Sequence, residues 1–457
     1  MVNLAAVAGR RLWCCLFLLG LGVSMAWGLT SPRLNGPDER DHAIRAVGTV
    51  RGHVIGDFEL GARGYRMNVP VPLKACAPLL DDQIDCRPST SPDQANILTG
   101  EFRHPPPYYA IVGLPTLVWL GLNVGYAMRL VSACIGAALL AWAFQSAIES
   151  GRRLHVLGVL ASTTPIVWFL AATVNPNGVE ITAAICVWAS CFAAATQPRL
   201  TNGVVFRAGI GLTVLVMSRG ISPVYGLIAL VAAALIASPE RRSEVAARRD
   251  VRRWLLLAAS GTVITGIWVA VAGFSHNVHR DGQDASTFLR LSGLYLQQSV
   301  GDWLDLKVSL PYAVAVYAVI VVPLVALGIS RSRSRDRRVL LGLLAIALVV
   351  PLTSDIFNLP PIASAWQGRY GLPMVTGVVI AAAYMSQVEV SVRLWRVVLA
   401  VLAVTEIAAF TVFARHWQYA NGRTFSVIAV NAVALVAFAI VLDRSVNGPR
   451  PRVTHGT

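Results

Sequence analysis

Apolar runs long enough to cross a bilayer follow one another through most of this 457-residue chain, and no other feature constrains its fold as tightly. A spanning helix needs about 20 predominantly apolar residues, and inside the hydrocarbon its backbone polar groups must be bonded internally. The runs cover 12–29, 108–122, 126–147, 154–172, 179–195, 204–217, 221–236, 254–274, 311–329, 339–352, 371–385, 394–413 and 425–442. Only 14% of the residues are charged, against about 25% in an ordinary soluble domain, so the polar surface needed to face water is missing. The expected class is an all-α polytopic membrane protein whose residues 1–457 form a single transmembrane domain. No sequence repeat or low-complexity tract interrupts it, and neither inverted halves nor discontinuous paired helices are visible, which weakens a transporter reading.

The net charge of +15 invites a nucleic-acid partner. That reading is rejected because the arginines lie in short loops between apolar runs, as cytoplasmic loops do. Orientation turns on 108–122, which holds about 15 residues, carries Pro115 and follows Pro105-Pro106-Pro107. If it lies along the surface and the N-terminus is inside, the blocks Arg241–Arg253 and Arg331–Arg338 are cytoplasmic; if it spans, both become external, against the positive-inside rule. This predicts about twelve spanning helices plus juxtamembrane helices, with both termini cytoplasmic in a bacterial plasma membrane. The first external loop is then 31–124 and the second 275–310, the latter with an interfacial helix over 286–305 carrying Phe288, Leu291, Leu294, Tyr295 and Gln298 at helical spacing. Arg10 and Arg11 ahead of the first run also fit a secretory signal, but the run is long and no clean small-x-small cleavage site follows, so a retained helix is expected. Five cysteines lie in apolar runs as small core residues. Cys76 and Cys86 alone fall in a polar segment, which if external is an oxidising setting, and are expected to form a disulfide.

Clusters that look chemically purposeful gather on the side opposite the arginine blocks. Asp38 and Glu39 follow the first helix, and the spacing Asp38–Asp41–Arg45 and Glu39–His42 places neighbours on one face of a juxtamembrane helix. One acid there could serve as a general base toward an acceptor hydroxyl; the plain alternative is that Asp38 caps the helix. His104-Pro-Pro-Pro-Tyr108-Tyr109 reads as a stiff entry with aromatics at headgroup level, or as a ligand contact through His104. Asn175-Pro176-Asn177 with Glu180 reads as a turn and a first-turn acid, or as the wall of a cavity shared with Asp38. Arg219 and Arg369 end helices on the same side, where an arginine either snorkels or clamps a phosphate through its planar fork. Glu406 sits inside an apolar run and is a functional candidate by its cost there, with no partner evident. Walker loops, dinucleotide turns, Cys/His metal spacings and kinase or hydrolase motifs are absent, so neither a metal nor a cofactor is expected.

Taken together, Pro37-Asp38-Glu39-x-x-His42, His104-Pro105-Pro106-x-Tyr108-Tyr109, Asn175-Pro176-Asn177, Gly301-x-Trp303-Leu304-Asp305 before Pro311, and Gln367-Gly368-Arg369-Tyr370-x-x-Pro373 resemble, in order, a bacterial family of membrane proteins called domain of unknown function 2142. That family in turn looks like the C superfamily of glycosyltransferases, GT-C, in its first helix, acidic external loop and juxtamembrane helices. The chain departs from that superfamily in lacking a sizeable soluble C-terminal domain. The resemblance implies transfer of a sugar from a polyprenyl-phosphate donor to an envelope glycan or lipid acceptor, inverting and independent of metal. Asp38, or Glu39 in another register, would be the base. His42, Arg45, His104, Tyr108, Asn175, Asn177, Glu180, Arg219, Gln367, Arg369 and Tyr370 would bind substrate, with Arg369 meeting the departing phosphate. The partners implied are the lipid-linked donor, the acceptor and membrane lipids. A flippase, a transporter or a non-catalytic subunit for lipid-linked sugars is the alternative. Fold analogy alone does not decide between them.

Overall fold

The computed structural model describes residues 4–32, 34–55, 57–59, 64–70, 94–99, 101–118, 124–273, 293–303, 308–357, 367–417 and 423–448. Helix α1 (Leu4–Thr30) leads to α2 (Glu39–Val50), then to the short α3 (Pro106–Val112) and α4 (Pro115–Val118). The body of the bundle continues with α5 (Val124–Glu149), α6 (Arg153–Ser162), α7 (Pro165–Ala171), α8 (Pro176–Thr196), α9 (Asn202–Val216) and α10 (Ser222–Ile236). After these come α11 (Pro239–Ala247), α12 (Arg249–Trp268), α13 (Pro311–Ser330), α14 (Ser334–Phe357), α15 (Gly368–Met385), α16 (Val392–His416) and α17 (Arg423–Asn447).

By length and composition seven helical segments among the described residues can cross a membrane, or eight if the bent pair α6 and α7 is one span. The expected count of about twelve is not reached on this measure. The runs 204–217 and 221–236 form helices of only 15 residues each, about 22 Å long against a hydrocarbon core of about 30 Å. The run 108–122 is two short helices of seven and four residues, too short to cross, with α3 opening on the stiff proline triplet. Helix α6 meets α7 at a 67° bend, so the run 154–172 contains a discontinuity the sequence reading did not foresee. Pro165 opens α7 without an amide proton and holds Thr164 extended. The freed groups find partners: Thr164 Oγ1 donates to the Ser299 carbonyl at 3.0 Å, Ile166 N to that of Val300 at 3.1 Å, and Tyr317 Oη to that of Thr163 at 3.2 Å.

The chain is not all-α. Between α2 and α3 an antiparallel sheet of β1 (Asp57–Glu59), β2 (Gly64–Pro70) and β3 (Gln94–Thr99) forms in the order β1-β2-β3. Asp57 pairs with Arg66 and Tyr65 with Thr99. A second, minimal pair joins β4 (Asp302–Trp303) to β5 (Val308–Ser309). Cys76 and Cys86 lie outside the described residues, as do Phe288 and Leu291 of the expected interfacial helix; residues 293–298 of that segment are helical.

Helix α8 is the hub. It packs against α5, α7, α9, α10 and α15, and 89% of its most apolar window is buried. Close approach at its start demands glycine, because a Cβ on Gly178 would overlap the Leu170 carbonyl of α7. Helix α1 packs on α5 and α17, with Trp27 fully buried between Phe169, Phe410 and Phe413. The starts of α2, α3, α8, α10 and α15 are thereby brought to one end of the bundle.

Candidate functional site

The segment joining α1 to α2 is fixed by a buried ion pair. Glu39 is fully buried, and its Oε1 accepts from Arg129 Nε of α5 at 2.7 Å and from Val174 N at 2.9 Å. Its Oε2 accepts from Arg129 Nη2 at 2.5 Å and Gly36 N at 2.8 Å. Burial alone would raise this carboxyl, but the Arg129 charge and hydrogen bond, with the two backbone amides, hold it below the usual range. Arg129 donates further to the carbonyls of Gly28, Ser31 and Pro32 at 2.6, 2.8 and 2.7 Å. A single bidentate pair therefore ties α1, α2, α5 and the turn before α8 together. Arg129 was absent from the sequence-derived set, although a lone arginine inside the run 126–147 is the kind of intramembrane charge that marks such a site.

Asp38, one residue earlier, is placed otherwise. Its backbone is left-handed at φ 54°, and its side chain makes no capping hydrogen bond to α2, so the capping reading fails. A non-glycine residue rarely adopts this conformation, and such strain concentrates at functional positions. The carboxylate instead faces α15: Arg369 Nη2 donates to Asp38 Oδ2 at 2.5 Å. Asp38's side chain is 48% exposed and that of Arg369 only 6%, so the pair sits at the surface of the cluster with its acid outward. Gly368 N donates to Gln298 Oε1 at 2.6 Å, and a Cβ there would overlap the Tyr295 carbonyl. Only glycine lets the start of α15 dock this closely on the 293–298 turn.

A second buried pair lies beside the first. Glu180 of α8 accepts from Ser222 Oγ at 2.6 Å and from Arg219 Nη1 at 3.3 Å. The Tyr370 ring stands between the two arginines, 4.6 Å from the Arg219 guanidinium carbon and 5.3 Å from that of Arg369. Tyr225 Oη donates to the Tyr370 carbonyl at 2.9 Å. Asn175 caps α8, accepting from Asn177 N at 2.9 Å, while its amide donates to the Pro37 carbonyl at 2.8 Å. Asn175 closes the bend that leads into α8, and its amide also anchors the residue before Asp38. Glu180, expected in the first turn, is the fifth residue of the helix and lies beyond it.

Behind these pairs is a buried polar nest. His42 Nδ1 lies 2.8 Å from Tyr109 Oη and 3.6 Å from Glu101 Oε2, and His104 Nε2 is 3.1 Å from the same oxygen. Burial pushes both histidines down, with Arg219 adding to the effect; His104 falls to about 4. Asp41 is pushed up to about 6 by burial and the neighbouring Glu101 charge. Glu101 was missed in the sequence because it lies in a polar stretch with nothing to distinguish it. Seven of the eleven expected ligand contacts are buried: His42, Asn175, Asn177, Glu180 and Arg369, already placed above, and Arg45 and Tyr108. Arg45 is fully buried, bonded to the Val54 carbonyl and stacked at 4.4 Å over Phe102, and Tyr108 is buried with its hydroxyl 2.9 Å from Ser132 Oγ. Gln367 is the residue before α15, and its carbonyl accepts from Tyr370 N at 2.9 Å. Glu406, left without a partner in the sequence, has Oε1 2.6 Å from Tyr317 Oη, beside the break between α6 and α7.

A family model described as "Predicted membrane protein (DUF2142)" matches residues 21–379. No curated protein matches the sequence. Among solved structures, the chain is similar to ArnT from Cupriavidus metallidurans bound to undecaprenyl phosphate, at 14% identity over 96% of this chain and 78% of that one, with a TM-score of 0.42. The apo form of the same protein gives 15% identity over 97% and 78%, with a TM-score of 0.45. The arabinosyltransferase EmbB from Mycobacterium smegmatis gives 15% over 94% of this chain and 40% of that one, at 0.38. At such distances neither residue roles nor mechanism carry over.

Proposed function

The chain belongs to the DUF2142 family of predicted membrane proteins, and from that footing we propose that it transfers a sugar from a polyprenyl-phosphate carrier to a glycan or lipid hydroxyl at the membrane surface. The observation that carries this reading is the Asp38–Arg369 pair, a half-exposed carboxylate released from any capping duty and held against a nearly buried guanidinium. Asp38 takes the proton of the acceptor hydroxyl. The hydroxyl oxygen bonds to the anomeric carbon as the bond from that carbon to the phosphate oxygen breaks, and the electron pair leaves with the lipid phosphate. Arg369 donates to that phosphate, with Arg219 close behind across Tyr370, and both charges are in place before the reaction. A single displacement of this kind inverts the anomeric centre. Glu39, the alternative base, is fully buried with both oxygens already bonded, so it supports the site by fixing the chain beside Asp38.

One observation favours a second reading, translocation of the lipid-linked sugar. The break between α6 and α7 has a buried acid, Glu406, beside it, and broken helices with acids inside the bilayer are where transporters bind. Purified protein reconstituted with a radiolabelled polyprenyl-phosphate sugar and a panel of hydroxyl acceptors separates the two. Labelled acceptor together with free polyprenyl phosphate is the expected result. Movement of intact donor between leaflets, with no label transferred, contradicts the transferase reading.

A further inference from the structure

Helix α10 divides two apolar grooves, and arginines line both at the same end of the helix. On one side α8, α9, α10, α11 and α12 surround a cavity of about 590 Å³ whose walls include Ala195, Ala208, Leu212 and Ala234 and whose lining includes Arg241, Arg242 and Arg252. On the other, α10 and α14 flank a groove of about 530 Å³ that includes Arg335 and Arg338. The arginine rim of the larger groove lies by the start of α9, where Arg241 and Arg248 reach the carbonyls of Gln197 and Leu200. Arg219 follows the end of α9, a 15-residue helix or about 22 Å away. The slot runs up α9 as far as Leu212, and no residue lining it belongs to the other site. It is therefore distinct from the Asp38–Arg369 cluster.

The arginines divide by task. Arg241 is buried and tied to the carbonyls of Gln197 and Pro198 and to Glu244, so it holds the turn between α8 and α9 in place. Arg248 is neutralised by Asp250 at 2.6 Å. Arg242 and Arg252 are exposed, each with its Nε on a backbone carbonyl, of Ala237 at 3.2 Å and of Ala246 at 3.1 Å. Residues 239–253 hold six arginines against three acids, so the rim keeps a positive surplus. A slot walled by small apolar side chains accepts a hydrocarbon chain, and exposed guanidinium groups at its head match a phosphate. A soluble anion leaves the apolar walls unused, and a neutral lipid leaves unmatched the charge of Arg242 and Arg252, which line the slot itself rather than only the loop around it.

We infer that this groove binds an anionic phospholipid, with one acyl chain between α9 and α10 and the phosphate at Arg242 and Arg252. The test is native mass spectrometry of the full chain in detergent micelles, incubated with equal amounts of phosphatidylglycerol and phosphatidylcholine. Phosphatidylglycerol should be retained over phosphatidylcholine by roughly tenfold or more, since each arginine near an anionic surface contributes about fivefold and two meet the phosphate. Arg242→Gln with Arg252→Gln should bring the ratio close to one. Ala234→Phe, which narrows the slot without touching charge, should lower retention of both lipids. Arg393→Gln, an exposed arginine outside the groove, should leave the ratio unchanged, and millimolar inorganic phosphate should not displace the lipid. Equal retention by the parent overturns the inference, as does a preference surviving the double variant or lost equally in Arg393→Gln. If Ala234→Phe splits a dimer and leaves lipid retention alone, the groove is an interface between copies and the lipid assignment is wrong.

Discussion

Replacing Glu39 by Gln leaves the Arg129 guanidinium buried beside a neutral amide that can accept at only one oxygen. Both partners are essentially inaccessible, 1% and 0% exposed, and breaking such a pair from one side costs about 3–5 kcal/mol. Glu39→Gln should therefore lower the melting temperature and the yield of monodisperse protein, whereas Asp38→Asn should change both far less, because the Asp38 side chain caps nothing and the pair it makes with Arg369 is open to water on the acid's side. Equal melting temperatures for the two variants would contradict the division of labour between these neighbours. Arg369→Lys should weaken use of the donor while keeping the charge, because lysine lacks the planar fork; it is read as a raised KM for the lipid-linked sugar. Acid behaviour supplies a further check. The fold favours neutral His104, lowered from 6.5 to about 4, so that contribution is complete above 6.5 and is lost as pH falls towards 4. It also favours protonated Asp41, raised from 3.8 to about 6, and this contribution grows as pH falls through the same window. Asp41→Asn removes the compensation, so its melting temperature should fall more steeply than the parent's between about pH 7 and about pH 5. Parallel curves would contradict the burial assigned to Asp41.

At the scale of elements, the site depends on how closely helix ends approach one another. Gly178→Ala drives a methyl group into the Leu170 carbonyl, and overpacking of this kind costs about 1–3 kcal/mol. It should destabilise the α7–α8 corner and with it the Asn175 tether to Pro37, measured as a lower melting temperature and faster proteolysis of the 31–38 segment; an unchanged profile would mean that the corner does not position the loop. Most of the site's parts were legible in sequence, since Asp38, Glu39, Asn175, Glu180, Arg219, Arg369 and Tyr370 do assemble at one end of the bundle. Their roles were less legible. Spacing places Asp38 and Glu39 together but cannot reveal that the backbone turns left-handed at Asp38 and sends the two carboxylates to different arginines. Arg129 was readable as a charge within an apolar run, and the break at Pro165 as a proline within another. The β1-β2-β3 sheet was readable only in β2, where Tyr65, Met67 and Val69 alternate with Arg66 and Asn68; it went unread because that run is only seven residues long, is bounded by Gly64 and Pro70, and lies in a stretch that is otherwise polar.

For the molecule as a whole, the arginine blocks predict a membrane orientation that is open to direct measurement. A reporter fused within Arg241–Arg253 should read cytoplasmic and one fused near Asp93 external; the same side for both would contradict the orientation, because 108–122 sets the parity of all that follows. In that orientation the Asp38–Arg369 pair would face the exterior, the side the proposed transfer requires, and the arginine-lined grooves would face the opposite leaflet. The central claim is that Asp38 removes the acceptor's proton. Transfer from a polyprenyl-phosphate sugar should be compared between the parent and Asp38→Asn, in membranes matched for protein and with melting temperatures verified as equal. Loss of a general base costs on the order of a hundred- to ten-thousand-fold in rate, and the account predicts a fall in that range; transfer by Asp38→Asn at near the parent's rate would contradict it.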